Sequence, residues 1–493
     1  MESVFKPAFV LMSGRALGFV VIFAIPVVLA RVFDQSEFGT YKQLFLVYST
    51  LYCVAQLGMA ESLFYFLPAS PRLGGRYALN AMLVLGIAGV ACFALLWGAQ
   101  SSIAYWLNNS ALIGQLPLIG LFLLLMLVSA VLEIVMTARK RHFQASCAYA
   151  VSDLLRAILF VVPVLWFGEL EWLLVGAIAF ASLRLGATLL YLYREYDGDL
   201  AVNAGLARTH LAYAAPFAIY VLIEVMQTNL HLYAVSFHYD AATFAIYAVG
   251  CLSIPLVDFL ASSAGNVMMV RMREHLLNGA DGSVLAIWED TTRKLALMFA
   301  PLVGGLLVVA HELIVGLFTR SYEPSVPVFM VWTLTIMFSA LLTDSVLRVY
   351  AQIRFLMLLG LVKLAFIAAT IHWFLATFDL LGAVLVVLLT IVVTKGLALG
   401  RIKTVMQCRL AQFLPWRSLA AIIAVAAAAA LPALAIKSAL TIPDLPRLLA
   451  TGLVYAAAYL GLLWRSGLLS GEEKLAITER VLRPVWLSEK LKA

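Results

Sequence analysis

Ser13-Gly14-Arg15-Ala16-Leu17-Gly18-Phe19 lies inside an apolar run that extends from Ala8 to Ala30. A run of that length can cross a bilayer core, which takes about 20 residues. Arg15 is therefore expected at membrane depth, beside Gly14 and one helical turn from Gly18. An arginine there costs about 3 kcal/mol on insertion scales, so it is expected to face protein or water rather than lipid.

The remainder of the chain agrees with a membrane setting. Of 493 residues, 63% are hydrophobic and 12% charged, and the mean hydropathy is +0.98. Soluble domains do not have this composition, whereas polytopic membrane proteins do. The net charge of +7 comes from basic residues dispersed in short clusters between apolar runs, which does not suggest a nucleic-acid partner. Cys53, Cys92, Cys147, Cys251 and Cys408 have no metal or disulfide spacing and read as small packing residues. The first run is too long for a signal-peptide core and lacks a cleavage pattern, so it is read as a true span.

Fourteen spans are expected, at 8–30, 38–67, 78–99, 115–138, 146–167, 172–193, 211–236, 243–270, 294–316, 326–347, 356–376, 381–400, 417–436 and 447–464. With both termini in the cytoplasm, inside segments hold 24 of the 34 lysines and arginines and outside segments hold five. That bias supports the orientation. Lys42 and Lys437 fall among the outside five, and Arg15, Arg156, Arg184, Lys363 and Lys395 fall within spans. Residues 271–293 and the tail 465–493 mix apolar and charged residues, and read either as interfacial helices or as solvated connectors. The alanine-rich thirteenth span is expected to present an even apolar surface to lipid or an acyl chain.

An internal repeat is also visible. Asp34-x3-Phe38-x2-Tyr41 follows the first span, and Asp240-x3-Phe244-x2-Tyr247 follows the seventh, 206 residues later. Six spans separate the copies. An even number makes the halves parallel, related by an axis along the membrane normal. The expected organisation is an all-α polytopic membrane protein with a six-helix lobe at 1–210, a second at 211–416, two extra helices at 417–464 and a cytoplasmic tail at 465–493.

No GxxxxGK[ST], HExxH or GxSxG motif is present and no outward loop exceeds about 20 residues, so an enzyme is not expected. The remaining chemistry lies in charges at membrane depth. Arg15, Arg156 and Arg184 belong to the first half, and a guanidinium fork suits phosphate oxygens. Arg156 has two readings, substrate contact or neutralisation by Asp153 three residues earlier. Lys363 is a fourth candidate cation. In the second half Glu224, Gln227, Thr228 and His231 form one polar stripe, and Asp258 lies near mid-depth on the next span. Either the stripe holds a proton or cation, or it hydrogen-bonds a neighbouring helix. Glu61, Glu133, Asp344 and Lys395 lie nearer the cytoplasmic ends, with Asp344 and Arg348 spaced as a local pair. The aromatics Tyr41, Tyr52, Phe64, Tyr65 and Phe66 read as packing and interface residues. Asn108-Asn109-Ser110 reads as an ordinary loop.

Two stretches resemble a known group. Ser13-Gly14-Arg15-Ala16-Leu17-Gly18-Phe19 resembles the first-span motif of lipid II flippases. Leu29-Ala30-Arg31-Val32-Phe33 with Glu37-Phe38-Gly39-Thr40-Tyr41 is similar to the start of polysaccharide biosynthesis flippases. Both groups belong to the multidrug/oligosaccharidyl-lipid/polysaccharide exporter superfamily. The resemblance implies a V-shaped pair of six-helix lobes in a bacterial inner membrane. It also implies an undecaprenyl-diphosphate-linked glycan as substrate, flipped to the outer leaflet, with Arg15 facing the cavity, and it brings in polysaccharide polymerase machinery as a partner. The rest of the lipid II branch's basic set is not found here, which favours a polysaccharide or O-antigen repeat unit. Arg15, Arg156, Arg184 and Lys363 are then the expected substrate contacts. Glu224, Asp258 and His231 are the expected coupling residues for a proton or sodium ion, with no other cofactor. The alternatives are a cation-coupled drug or metabolite exporter of the same fold and a membrane glycan polymerase.

Overall fold

A computed structural model describes residue 18 and residues 21–278, 281–408, 413–440, 442–471, 473 and 474. Among these residues the chain is helical, with no strand. The helices are α1 Val21–Val32, α2 Gln35–Ala55, α3 Met59–Ala69, α4 Gly74–Gly98, α5 Gln100–Trp106, α6 Gln115–Val128, α7 Leu132–Ala138, α8 His142–Phe167, α9 Leu170–Glu195 and α10 Ala204–His238. They continue as α11 Ala241–Gly250, α12 Pro255–Leu277, α13 Asp281–Val308, α14 Ala310–Phe318, α15 Ser325–Ser339, α16 Thr343–Val349, α17 Ile353–Met406, α18 Trp416–Ala439 and α19 Asp444–Arg465.

Ten of the described helical segments are long and apolar enough to cross a bilayer, or 11 if α11 and α12 are one span. Three physical features separate this count from the expected fourteen, which is kept as a proposal. Helix α17 counts once, yet Asp379 inside it has φ 48° and ψ −137°, in the gap between two expected spans. Helix α10 is 35 residues long but carries Glu224, Gln227, Asn229 and His231, which dilute its hydropathy. Most of the first expected span lies outside the described residues.

The chain forms two compact units. Met1–Leu252, Leu317–Val328 and Met357–Thr390 make the first; Ser253–Gly316, Phe329–Leu356 and Ile391–Ala493 make the second. They interleave along the chain, so neither coincides with the lobes 1–210 and 211–416, and that division is kept as a proposal.

In the first unit both copies of the Asp-x3-Phe-x2-Tyr stretch start a helix. Asp34 accepts the Glu37 N–H at 2.8 Å and Asp240 accepts the Thr243 N–H at 2.9 Å. These are N-caps, which satisfy a backbone donor that the helix cannot. Phe38, Tyr41, Phe244 and Tyr247 are all buried. The two helices touch where Gly39 meets Ala241, so closely that a Cβ on Gly39 would lie 1.8 Å from the Ala241 carbonyl oxygen. Interruptions recur as well. Turns at 56–58 and 251–254 break the helix after each cap. A short helix and a 3-10 turn, α5 with Ser110–Leu112 and α14 with Arg320–Tyr322, precede α6 and α15. Discontinuous helices at matching points of two repeats are a feature of transporter halves.

In the second unit, Ile422, Ala426, Ala429 and Ala433 of α18 are buried against α13 and α19. Only the opposite face, with Ile423 and Leu431, is exposed. The alanine-rich helix is therefore a packing surface on one side, because small residues let backbones approach. Tyr455 Oη donates to the Ala426 carbonyl at 3.2 Å, and Tyr459 Oη to that of Leu297 at 3.0 Å. The start of the tail is docked too. Arg293 donates to the Leu468 carbonyl at 3.0 Å and pairs with Glu473. Glu473 forms a reciprocal capping box with Ser470.

Gly39→Ala is expected to lower stability by about 1–3 kcal/mol through overpacking. Gly461→Ala, with open space around its Cβ site, is expected to stay within about 0.5 kcal/mol; thermal melts in detergent would compare them. The hydrogen bond from Arg293 holds the Glu473 carboxyl below its ordinary value of 4.5. A lowered folded-state value adds stability above the unfolded one, and this is lost as pH falls through the folded value. Arg293→Ala is thus expected to expose residues 466–471 to limited proteolysis at pH 7, whereas the wild type becomes cleavable there only below pH 4.5.

Candidate functional site

The charges of the first unit converge where α2, α7, α8 and α9 pack together. Arg184 on α9 donates from Nη1 to Glu133 Oε1 and from Nη2 to Glu133 Oε2, both at 2.6 Å. Nη1 also reaches Ser152 Oγ on α8 at 2.7 Å. The side chains of Arg184 and Glu133 are only 12% and 3% exposed. This is a fork-to-fork pair, the strongest geometry available to a guanidinium and a carboxylate. One turn along α8, Arg156 pairs with Asp153 at 2.8 Å. Among the described residues, both arginines keep one buried donor, Nε–H, without an acceptor.

The expected open cluster of arginines is thus two neutral pairs in the described residues. Low dielectric explains it, since an unpaired guanidinium at this depth costs more than a pair. For Arg156 the Asp153 reading is the one seen in the geometry. Arg15 lies outside the described residues, but Gly18 is described, and a Cβ there would lie 2.0 Å from Asp153 Oδ2. Gly18 therefore packs directly against the carboxylate of the Asp153–Arg156 pair.

Along α2, the rings of Tyr41, Phe45, Tyr48 and Tyr52 form a continuous ladder with centroids 4.9 to 5.8 Å apart. Arg156 lies within electrostatic range of Tyr41 and Tyr48, and Arg184 within range of Tyr48 and Tyr52. Tyr48 and Tyr52 are half-buried while Tyr41 is buried. The ring contacts agree with a packing role for Tyr41 and Tyr52, and Tyr48 was not singled out from the sequence. Its signal was the four-residue step to Tyr52 on one helix face. Lys42, counted as an outside residue, stands inside α2 with its ammonium 5.3 Å from the Phe38 ring centroid and 5.6 Å from that of Tyr41.

The polar stripe of α10 divides. His231 is buried, its Nδ1 2.7 Å from the Tyr247 hydroxyl. Lys363 is half-buried and acts electrostatically on His231. Glu224 is exposed, and it and Glu61 both lie within electrostatic range of Cys53. Asp258 belongs to the second unit and is exposed there. Asp344 lies 3.7 Å from Lys395, whose Nζ also reaches the Leu341 carbonyl and Thr343 Oγ1, each at 2.9 Å. Asn109, read as a loop residue, donates to Thr40 Oγ1 at 2.8 Å and Gln43 Oε1 at 2.6 Å.

A family model described as polysaccharide biosynthesis protein matches residues 28–327. The chain belongs to that family. No curated protein matches it in sequence. In fold this family member is similar to the structure titled lipid II flippase MurJ, inward closed conformation, with a TM-score of 0.69 at 13% identity, covering 97% of this chain and 100% of that one. It is also similar to an inward-facing multidrug resistance MATE family transporter of the MOP superfamily, with a TM-score of 0.59 at 14% identity, covering 81% and 99% of the two chains. A MOP superfamily transporter from Pyrococcus furiosus gives a TM-score of 0.53 at 12% identity, covering 81% and 94%. This member of the polysaccharide biosynthesis family is a multi-pass helical membrane protein with the MurJ/MATE fold.

Glu133→Gln is expected to destabilise by about 3–5 kcal/mol, because it strands a buried guanidinium. The double variant Glu133→Leu/Arg184→Met removes both charges and is expected to recover most of that loss, as read by thermal unfolding in detergent.

Proposed function

We propose that the protein is a flippase that moves an undecaprenyl-diphosphate-linked oligosaccharide, a polysaccharide or O-antigen repeat unit, across a bacterial inner membrane. The cargo moves from the cytoplasmic to the outer leaflet by alternating access of two six-helix lobes, 1–210 and 211–416, with 417–464 as two extra helices and both termini in the cytoplasm. The observation that carries this reading is the pair of membrane-depth arginines, each with a spare Nε–H beside the tyrosine ladder. The diphosphate takes those donors and competes with Glu133 and Asp153 for the forks, while Tyr48 and Tyr52 stack on sugar rings. Arg15 and Lys363 complete the cationic set. The prenyl tail stays in lipid, and the delivered glycan passes to polymerase machinery.

Inside-negative voltage favours outward movement of the anion at about 2.3 kcal/mol per charge per 100 mV. Two unshielded charges at roughly 150 mV give about 7 kcal/mol, an upper bound because the arginines cancel part of the charge. A proton or sodium ion at Glu224 or Asp258 resets the carrier. His231, whose ring is committed to Tyr247, supports the position of α10 in this scheme.

Liposome flipping of a lipid-diphosphate oligosaccharide, with and without imposed voltage, tests the proposal. Glu133→Ala/Arg184→Ala keeps the charge balance and is expected to slow flipping by about tenfold or more, the value of one charge-assisted hydrogen bond. Unchanged flipping in that variant would remove the diphosphate site. Transport of an organic cation by the same liposomes, with no glycan flipping, would establish the exporter reading instead.

A further inference from the structure

One junction of the first unit is built twice and filled once. In the first half, the turn after α5 is closed by a carboxamide network. Gln43 Nε2 donates to the Leu107 carbonyl at 2.9 Å and to Ser236 Oγ at 2.7 Å, and Asn109 donates to Gln43 in turn. Gln43 and Ser236 are wholly buried. In the second half, the turn after α14 meets the start of α2 in the corresponding way. There Arg31 Nε donates to the Leu317 carbonyl at 3.0 Å, and the Gln35 side chain donates to the Ser321 carbonyl. Among the described residues no carboxamide network closes this copy beyond those two contacts. It is a cavity of about 630 Å³ lined by Arg31, Asp34, Gln35, Ser36, Ser321 and Tyr322 among others.

Two features of the wall point to an occupant. Tyr322 is 1% exposed and, among the described residues, its buried hydroxyl has no hydrogen-bond partner, a cost a folded chain seldom leaves unmet. Burial and the nearby Asp34 carboxylate hold that phenol protonated, its pKa raised above the ordinary tyrosine value. Thr319, also in the lining, has φ 94°, a left-handed value that strains a β-branched residue.

We propose that this cavity is a carbohydrate subsite that takes an uncharged, hydroxyl-rich sugar. The proposal rests on the flippase reading, and in that orientation the cavity opens at the non-cytoplasmic end of α2. Charge selects the ligand class. One guanidinium and one carboxylate face the cavity, and both already hold backbone groups, so neither sign of ion is favoured. An apolar cargo would leave the hydroxyl and amide groups dry. A sugar supplies donors and acceptors together and can lie against the Tyr322 and Phe33 edges. The volume falls within the range of small-ligand sites, about 300–1,000 Å³. The subsite would hold the glycan on the release side, far along the chain from the Arg184 pair that takes the diphosphate.

Saturation-transfer NMR on the full chain in detergent tests this, using three lipid-free disaccharides as probes: N,N′-diacetylchitobiose, cellobiose and lactose. Transfer to the ring protons of at least one is expected. Ser36→Trp and Ser321→Trp fill the cavity from exposed positions and are expected to weaken binding at least tenfold. Either one suffices if the other fails to fold. Glu133→Ala/Arg184→Ala is expected to retain disaccharide binding, and inorganic diphosphate should not compete. Absence of transfer with all three sugars, or binding indifferent to both tryptophans, or competition by diphosphate would overturn the subsite. Flipping of the lipid-diphosphate glycan by the wild-type chain alongside any of these results would leave the flippase reading standing, whereas no flipping by the wild-type chain, with disaccharide binding retained, would remove that reading.

Discussion

A charge inside the hydrocarbon must bring its own counter-charge, and most of the chemistry here follows from that constraint. Arg184 is held by Glu133, Arg156 by Asp153, and Lys437 by the buried Glu312 at 2.8 Å and the Val308 carbonyl. Lys395 is wrapped by Asp344, Thr343 and a carbonyl. None of these is an idle ion waiting in an open chamber. Any anionic cargo of the proposed kind must replace a partner it evicts, so binding is an exchange of ion pairs rather than a gain of new ones. That makes the carboxylates as much a part of the site as the arginines.

The second organising feature is the near-contact of the two repeat-starting helices. Gly39 lets α2 approach the Ala241 carbonyl at a distance no side chain permits. The caps Asp34 and Asp240 then fix where each helix begins, and the helix breaks recur downstream in the same order. Broken helices at membrane depth leave backbone groups that only protein or water can satisfy. Such segments therefore belong beside a path or within a packed core. Duplication also explains how one junction could keep its carboxamide plug while its counterpart opened into a polar cavity, since either copy holds the helix ends together.

Much of this was legible in the sequence because it is local. Apolar runs marked the spans, the gap between 376 and 381 anticipated the break at Asp379, and the Asp153–Arg156 spacing anticipated their pair. The Asp-Phe-Tyr repeat was visible from three residues, though not that its first residue caps a helix and that the adjoining glycine sets a helix crossing. What stayed hidden is long-range. Glu133 and Arg184 are 51 residues apart, and Asn109, Gln43 and Ser236 come from three helices or turns, so no periodicity links them. Lys42 was expected at the outer end of a span, and it stands near the start of α2 against the Phe38 and Tyr41 rings, a contact that no local spacing announced. Arg15, on which the reading of the first span turns, lies outside the described residues.

Pairing also bears on turnover. Three unpartnered arginines would grip a diphosphate through several charge-assisted hydrogen bonds, each worth about 1.5–3 kcal/mol. A carrier must undo every one of them in each cycle, so such a site would bind well and release slowly. With Glu133 beside Arg184, departure of the proposed cargo would not strand a guanidinium, because the carboxylate would close on the fork again. On the proposed function, exchange of one ion pair for another would keep the empty and loaded states close in free energy, so that a modest membrane voltage would set direction. On the same proposal the tyrosine ladder would stack sugars weakly and repeatedly along one helix face. The proposed subsite between Arg31 and Tyr322 would add one more shallow, uncharged well to that sequence.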